Sequence, residues 1–210
     1  MTAELRLLDA GTATDLRTFV SRAASVDRDG AVRLQAQGTV LAAYAAVLPG
    51  AGLSADGLVL GLRTMRLAVP ADLDVTVPVS GLLDRFARSE GEALPVPPTE
   101  LSVSWAGVAP PRVGWVPFGR VSADELRAAA QQGIAEVARG TDGRAGALAV
   151  AELRRRTWAR PMEAREAEGV PSGLAFAAQV LGFVGEDPGT VYRCGRWLRL
   201  TTRGGHVLTH

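Results

Sequence analysis

Residues 31–48 read A-V-R-L-Q-A-Q-G-T-V-L-A-A-Y-A-A-V-L. Val32, Leu34 and Ala36 alternate with Arg33, Gln35 and Gln37, which is the period of two of a half-buried strand. Gly38 is expected to turn the chain, so 31–37 and 39–48 read as two successive strands. The stretch P-G-A-G-L-S-A-D-G, residues 49–57, reads as a long loop leading to a third strand over 58–69, with a short fourth over 74–77. Upstream, Thr12 and Asp15 form a candidate cap for a helix over 12–26. Leu16, Phe19, Val20 and Ala23 lie on one face of it. Downstream, Ser80 is expected to cap a helix that carries Leu82, Leu83 and Phe86 on one face and ends near Arg88. Helix, meandering strands and helix predict an antiparallel sheet with flanking helices over residues 1–92.

Residues 93–119 form a crossover with Pro95, Pro97, Pro98, Pro110, Pro111 and Pro117. Proline fixes φ and removes a donor, so no regular helix crosses this stretch. It also carries Trp105, Trp115 and Phe118, more aromatic mass than a flexible linker needs, and is expected to be ordered.

Beyond it, over 120–210, Ser122 and Glu125 make a capping box for a helix reaching about Arg139. Thr141-Asp142-Gly143 breaks it. A second helix is expected over 145–159, a polar loop over 161–171 and a third helix over 172–183. Strand-like runs at 190–194 and 197–202 flank Gly195-Arg196, a two-residue hairpin loop, and 206–209 adds a third short run. The predicted fold class is α+β: an antiparallel-sheet N-terminal domain, then a mainly helical C-terminal domain ending in a β-hairpin, in winged-helix-like order.

Composition bounds the function. The chain has 210 residues, 47% hydrophobic and 21% charged, with net charge +1, so no strong overall field steers it to DNA or a membrane. Arginine is its only long basic residue; lysine and asparagine are absent, as in chains from GC-rich genomes. One cysteine excludes a disulfide framework and a cysteine-rich metal site. No basic and apolar leader precedes T-A-E-L-R, and no apolar run approaches the ~20 residues that span a bilayer. The expectation is a soluble cytoplasmic protein with no membrane partner.

The tail gathers the candidate chemistry. Arg193, Arg196, Arg199 and Arg203, with Arg154 and Arg155 of the second helix, are the candidate nucleic-acid contacts. Residues 120–210 hold thirteen arginines against ten acids, and the first 119 hold ten against twelve, an asymmetry of the right sign but small. The third helix, S-G-L-A-F-A-A-Q-V-L-G-F, is apolar nearly all round and belongs in a core, whereas a groove-reading helix presents polar side chains. The tail's apolar residues Tyr192, Leu198 and Leu200 are expected to complete the core.

Cys194 with His206 is the one thiol and imidazole pair available for nucleophilic chemistry. His210, the last residue, is expected to fray. Gly50, Gly52 and Ala55 imitate a dinucleotide fingerprint, but a strand follows where a helix is required. No catalytic residue, metal site or cofactor is assigned.

The strings A-V-R-L-Q-A-Q-G-T-V (31–40), L-D-V-T-V-P (73–78), L-L-D-R-F-A-R (82–88), W-A-G-V-A-P-P-R-V-G-W (105–115) and G-R-W-L-R-L-T-T-R-G-G-H-V-L (195–208) resemble a group of uncharacterised actinobacterial proteins. The resemblance covers nearly the whole chain and implies a GC-rich Gram-positive source, with no activity to transfer. The first domain's helix-then-strands order is also similar to half of a DNA sliding clamp.

The functional expectation is a non-enzymatic protein-interaction or adaptor protein that binds a protein partner or itself. A nucleic-acid-binding regulator and an enzyme with a site assembled from scattered residues are the alternatives.

Overall fold

A computed structural model describes residues 3–52, 55–88, 91–141 and 146–210. The chain divides into two compact units: Met1–Val47 with Gly61–Ala109, and Leu48–Leu60 with Pro110–His210.

The first unit is built on two long strands. β2 runs Ala31–Ala51 without a break, so Gly38 does not end a strand. Val32, Leu34 and Ala36 are buried before it, and Leu41, Ala43, Ala45 and Val47 after it. The buried positions switch from even to odd numbers across Gly38, whose φ is +58°. A glycine in the left-handed region adds one residue to the strand, as a bulge does. The added residue restores the inward face to the apolar set, which a simple alternation would have turned outward.

β3 runs Asp56–Pro78, joining the two strands expected at 58–69 and 74–77. Pro70 lies inside it at an exposed position, where a missing N–H is tolerated if it faces away from the ladder. β2 reaches Ala51 and β3 begins at Asp56, so both ends of the expected loop at 49–57 belong to strands, and its residues 53 and 54 lie outside the described residues.

A short β1, Glu4–Arg6, pairs antiparallel with β4, Ala93–Pro95. Strands of three residues carry no periodic signal, and neither was expected. α1, Ala10–Val26, buries Leu16, Phe19, Val20 and Ala23, the face the spacing predicts. Its cap is Asp9, which accepts from Thr12 N at 2.7 Å and Thr12 Oγ1 at 2.8 Å; Thr12 is the donor and not the cap. α2, Val79–Arg88, buries Val79, Leu82 and Phe86 and contains Ser80, which therefore does not precede it.

Polar ties fasten these elements. Arg63 Nε donates to Asp15 at 2.8 Å, joining β3 to α1. Arg17 Nη2 donates to the Phe86 carbonyl at 2.9 Å, joining α1 to α2. Arg33 grips Asp74 with Nε and Nη2, both at 2.7 Å, and Nη1 donates to Ala106 O at 2.6 Å. That last bond holds the 3-10 turn Ser104–Gly107, whose Trp105 is buried. This half of the crossover is ordered, as its aromatics require.

In the second unit β5, Val116–Val121, takes the end of the crossover; the helices follow as α3 (Ala123–Arg139), α4 (Ala147–Ala159) and α5 (Ser172–Val180). Three strands close the chain: β6 (Gly189–Cys194), β7 (Trp197–Thr202) and β8 (Gly205–Thr209). The strand order of the sheet is β2-β3-β8-β7-β6-β5. The Ser122 and Glu125 capping box forms as read. The expected break at Asp142-Gly143 and helix start at Ala145 lie outside the described residues.

α5 ends at Val180, three residues short of expectation, with Gly182 in the left-handed region just beyond. Its residues from Ser172 to Ala178 are all buried, so this helix is the core of the unit and presents no reading face. The expected polar loop at 161–171 also buries Met162, Ala167 and Val170. Trp158 of α4 stacks on Phe176 of α5 with ring centroids 4.2 Å apart.

Candidate functional site

Turn chemistry fixes the register of the closing strands. Cys194 pairs with Trp197 across Gly195-Arg196, with Gly195 at φ +55°. Thr202 pairs with Gly205 across Arg203-Gly204. Gly204 and Gly205 seat Phe183, whose atoms would lie 2.6 Å and 2.7 Å from Cβ atoms at these two positions.

From those turns the rows follow. Val191, Leu200 and Val207 stand opposite one another and are buried. Tyr192 and Arg199 are one residue out of phase with that row, so they take the other face. The tail's buried apolar residues are that row together with Trp197 and Leu208. Tyr192 and Leu198, expected there, are only half-buried.

On the outer face the Arg199 guanidinium lies between two rings, 4.6 Å from the centroid of Trp115 and 4.7 Å from that of Tyr192. The arrangement combines cation–π attraction with the flat stacking that suits guanidinium. Trp115 is itself oriented by its Nε1–H, which donates to Pro111 O at 2.9 Å. Burial lowers the Arg199 pKa from its ordinary value, although the group stays cationic. Arg199 Nε is buried with no hydrogen-bond partner among the described residues. Thr190, Thr201 and His206 make the neighbouring row, with Thr201 Oγ1 and His206 Nδ1 3.0 Å apart.

The other arginines read from the tail and α4 are dispersed. Arg193 lies on the opposite strand face from Arg199 and stacks over Phe118 at 3.8 Å. Arg155 is bound bidentately by Glu152, at 2.8 Å and 2.7 Å. Arg203 Nη1 donates to Asp187 at 3.2 Å. Arg196 is exposed in the β6–β7 turn, and Arg154 is exposed on α4. Trp115 and Tyr192, which hold Arg199, were not among the candidate residues. The two-residue turn at Gly195-Arg196 already implies that Tyr192 faces Arg199, whereas nothing local signals Trp115.

The thiol and imidazole do not meet. Cys194 pairs with Trp197 and His206 with Thr201, four residues along β7, which is about 13 Å of strand. Cys194 Sγ lies 3.6 Å from Val113 O. His210 is not frayed: its ring stands edge-on to Trp197 with centroids 4.6 Å apart. Burial, and then the Arg196 charge, push its pKa down.

A concavity of about 690 Å³ is lined by residues of α3 and of the segment that follows α4. Glu136, Thr157 and Arg160 are among its lining residues. Arg160 forms an ion pair with Glu136, and Thr157 Oγ1 donates to Glu136 at 3.2 Å. The Arg160 hydrogen bond holds the Glu136 carboxyl below the ordinary range, so it is an anion that accepts bonds and not a proton donor near neutrality. Among the described residues no group of three or more His, Cys, Asp or Glu could hold a metal ion. No described helix is long and apolar enough to cross a membrane.

Two domain families match the chain. The one described as Domain of unknown function (DUF8010) matches residues 1–107, and the one described as Domain of unknown function (DUF8185) matches residues 110–210. No curated protein matches it.

Proposed function

The chain belongs to the DUF8010 family, and from that premise we propose that it is a non-enzymatic interaction protein, an adaptor whose binding face carries Trp115, Tyr192 and Arg199. The observation that supports this reading is the state of Arg199. Arg33, Arg63, Arg127, Arg155, Arg160 and Arg203 each have a carboxylate partner. Arg199 has two aromatic rings and no carboxylate partner among the described residues. Stacking fixes the guanidinium plane while leaving N–H edges for a carboxylate supplied from outside. Tryptophan, tyrosine and arginine are also the residue types that dominate binding energy at protein interfaces.

A cytoplasmic setting belongs to this reading, in which Cys194 serves as a free thiol. The test is comparative capture from a lysate of a GC-rich Gram-positive bacterium, the source that the resemblance implies. Wild type is expected to retain a defined protein that Arg199→Ala loses at least about tenfold, an affinity change of roughly 1.4 kcal/mol. The same proteins in the same amounts on both, with both chains folded by circular dichroism, would sink the reading.

A second reading, nucleic-acid binding in winged-helix-like order, is favoured by one observation: there is no acid between Pro188 and His210 to oppose Arg193, Arg196, Arg199 and Arg203. Burial of α5 weighs against it, as does the occupation of the Trp115 and Tyr192 rings by Arg199, which takes ring faces a base would need. Affinity for random duplex at two salt concentrations separates the readings, since several phosphate contacts impose a steep salt slope.

A further inference from the structure

Among the described residues β2 is the last strand of its sheet, with β3 beside it. An edge of that length is normally guarded by charge or proline. Between Arg33 and Asp56 this chain has no charged residue, and its first proline there is Pro49. Within the first unit the edge carries a further regularity. Residues 41–47 read L-A-A-Y-A-A-V, which is symmetric about Tyr44 apart from Leu41 against Val47. The burial of the same residues is symmetric too. Leu41, Ala43, Ala45 and Val47 are buried, and Ala42, Tyr44 and Ala46 are half-buried.

We propose that residues 41–47 of β2 pair antiparallel with the same residues of a second copy, about a two-fold axis at Tyr44. A two-fold interface requires that residue i meet residue j and j meet i. With the axis at Tyr44, Leu41 faces Val47, Ala42 faces Ala46, Ala43 faces Ala45, and Tyr44 faces its own copy. Residues directly opposite in an antiparallel pair share a sheet face, so buried side chains meet buried ones across the seam and half-buried meet half-buried. No charge opposes its like, because the segment has none. Gly38, with φ +58°, lies outside the segment. A second copy fits better than a foreign strand because the sequence itself is symmetric about Tyr44, which an unrelated partner would not need. This inference is independent of the binding face proposed above, which lies in the other compact unit.

The experiment is sedimentation equilibrium of the full chain over about a hundredfold range of concentration. Wild type is expected to approach twice the chain mass of 22.0 kDa at the upper end. Tyr44→Asp and Tyr44→Lys each place like charges face to face at the axis and are expected to weaken the dimer at least about tenfold. An equimolar mixture of the two variants is expected to dimerise again, which a mere folding defect would not allow. Should circular dichroism show that either variant is unfolded, the 42 and 46 positions provide the second arm. Ala42→Lys with Ala46→Glu should keep the dimer, because opposite charges then meet, and Ala42→Lys with Ala46→Lys should lose it. A wild type that stays at 22.0 kDa throughout overturns the proposal. So does a dimer that neither charge series weakens, or a mixture no tighter than its components.

Discussion

Gly133 of α3 leaves the space that the Trp158 ring of α4 occupies: a Cβ on Gly133 would stand 2.2 Å from Trp158 Cζ3 and 2.5 Å from Cη2. The ring is also held by stacking on Phe176, which limits its retreat. An exposed helical glycine replaced by alanine gains about 1 kcal/mol from propensity. Here the opposite sign is expected. Gly133→Ala should destabilise by about 1–3 kcal/mol through overpacking, read as a lower urea midpoint. Adding Trp158→Leu should recover part of the loss, since the two sites share one space. A stabilised Gly133→Ala chain would disprove the contact.

Gly38 should separate two effects. At φ +58° a Cβ meets nothing within 4 Å, so Gly38→Ala has room and suffers only the left-handed conformation, about 1–2 kcal/mol. Deleting Gly38 removes the added residue and would turn Leu41, Ala43, Ala45 and Val47 out of the core or force the strand out of register. That loss should exceed about 4 kcal/mol, enough to abolish a cooperative thermal transition. Equal effects of the two changes would show that the parity switch plays no part in holding β2.

The α3 cap should give a pH signature. The Ser122 hydroxyl, then the Ser122 backbone N–H and the Arg165 N–H, hold the Glu125 carboxyl below the ordinary glutamate range. A carboxyl with a depressed folded pKa contributes stability above its unfolded pKa and loses it as the pH falls through the folded value. Glu125→Ala is therefore expected to cost about 1 kcal/mol at neutral pH. The gap from wild type should close as the solution is acidified through the carboxylate range. Denaturant titrations at several pH values check this, and a gap that stays constant into strong acid counts against it.

Arg33 should control the order of the crossover. Lysine keeps its charge but cannot hold Asp74 with two N–H groups and Ala106 O with a third. Arg33→Lys is expected to cost about 1 kcal/mol, most of it from the carbonyl bond because Asp74 is half exposed. Amide exchange of Val108, whose N–H donates to Trp105 O, should quicken more than that of α1. Uniform acceleration across the first unit would place the effect elsewhere.

The sequence alone determined whatever depends on neighbours along the chain. The buried face of α1, the capping box of α3, the buried character of α5 and the tight turns of the tail follow from periodicity, capping and glycine placement, which act within a few residues. The first unit's antiparallel sheet with its helices follows in the same way. Tertiary structure decided the rest. Gly38 looks like a turn locally, and only the core beneath both halves of β2 shows it as an inserted residue, because burial chooses which face must be kept apolar. Pro70 looks like a break and is not one, because its missing donor matters only if the ladder needs it. Arg199 reads as one more surface arginine until folding brings Trp115 against it from far upstream. A stack assembled across such a separation depends on contacts that no local pattern records.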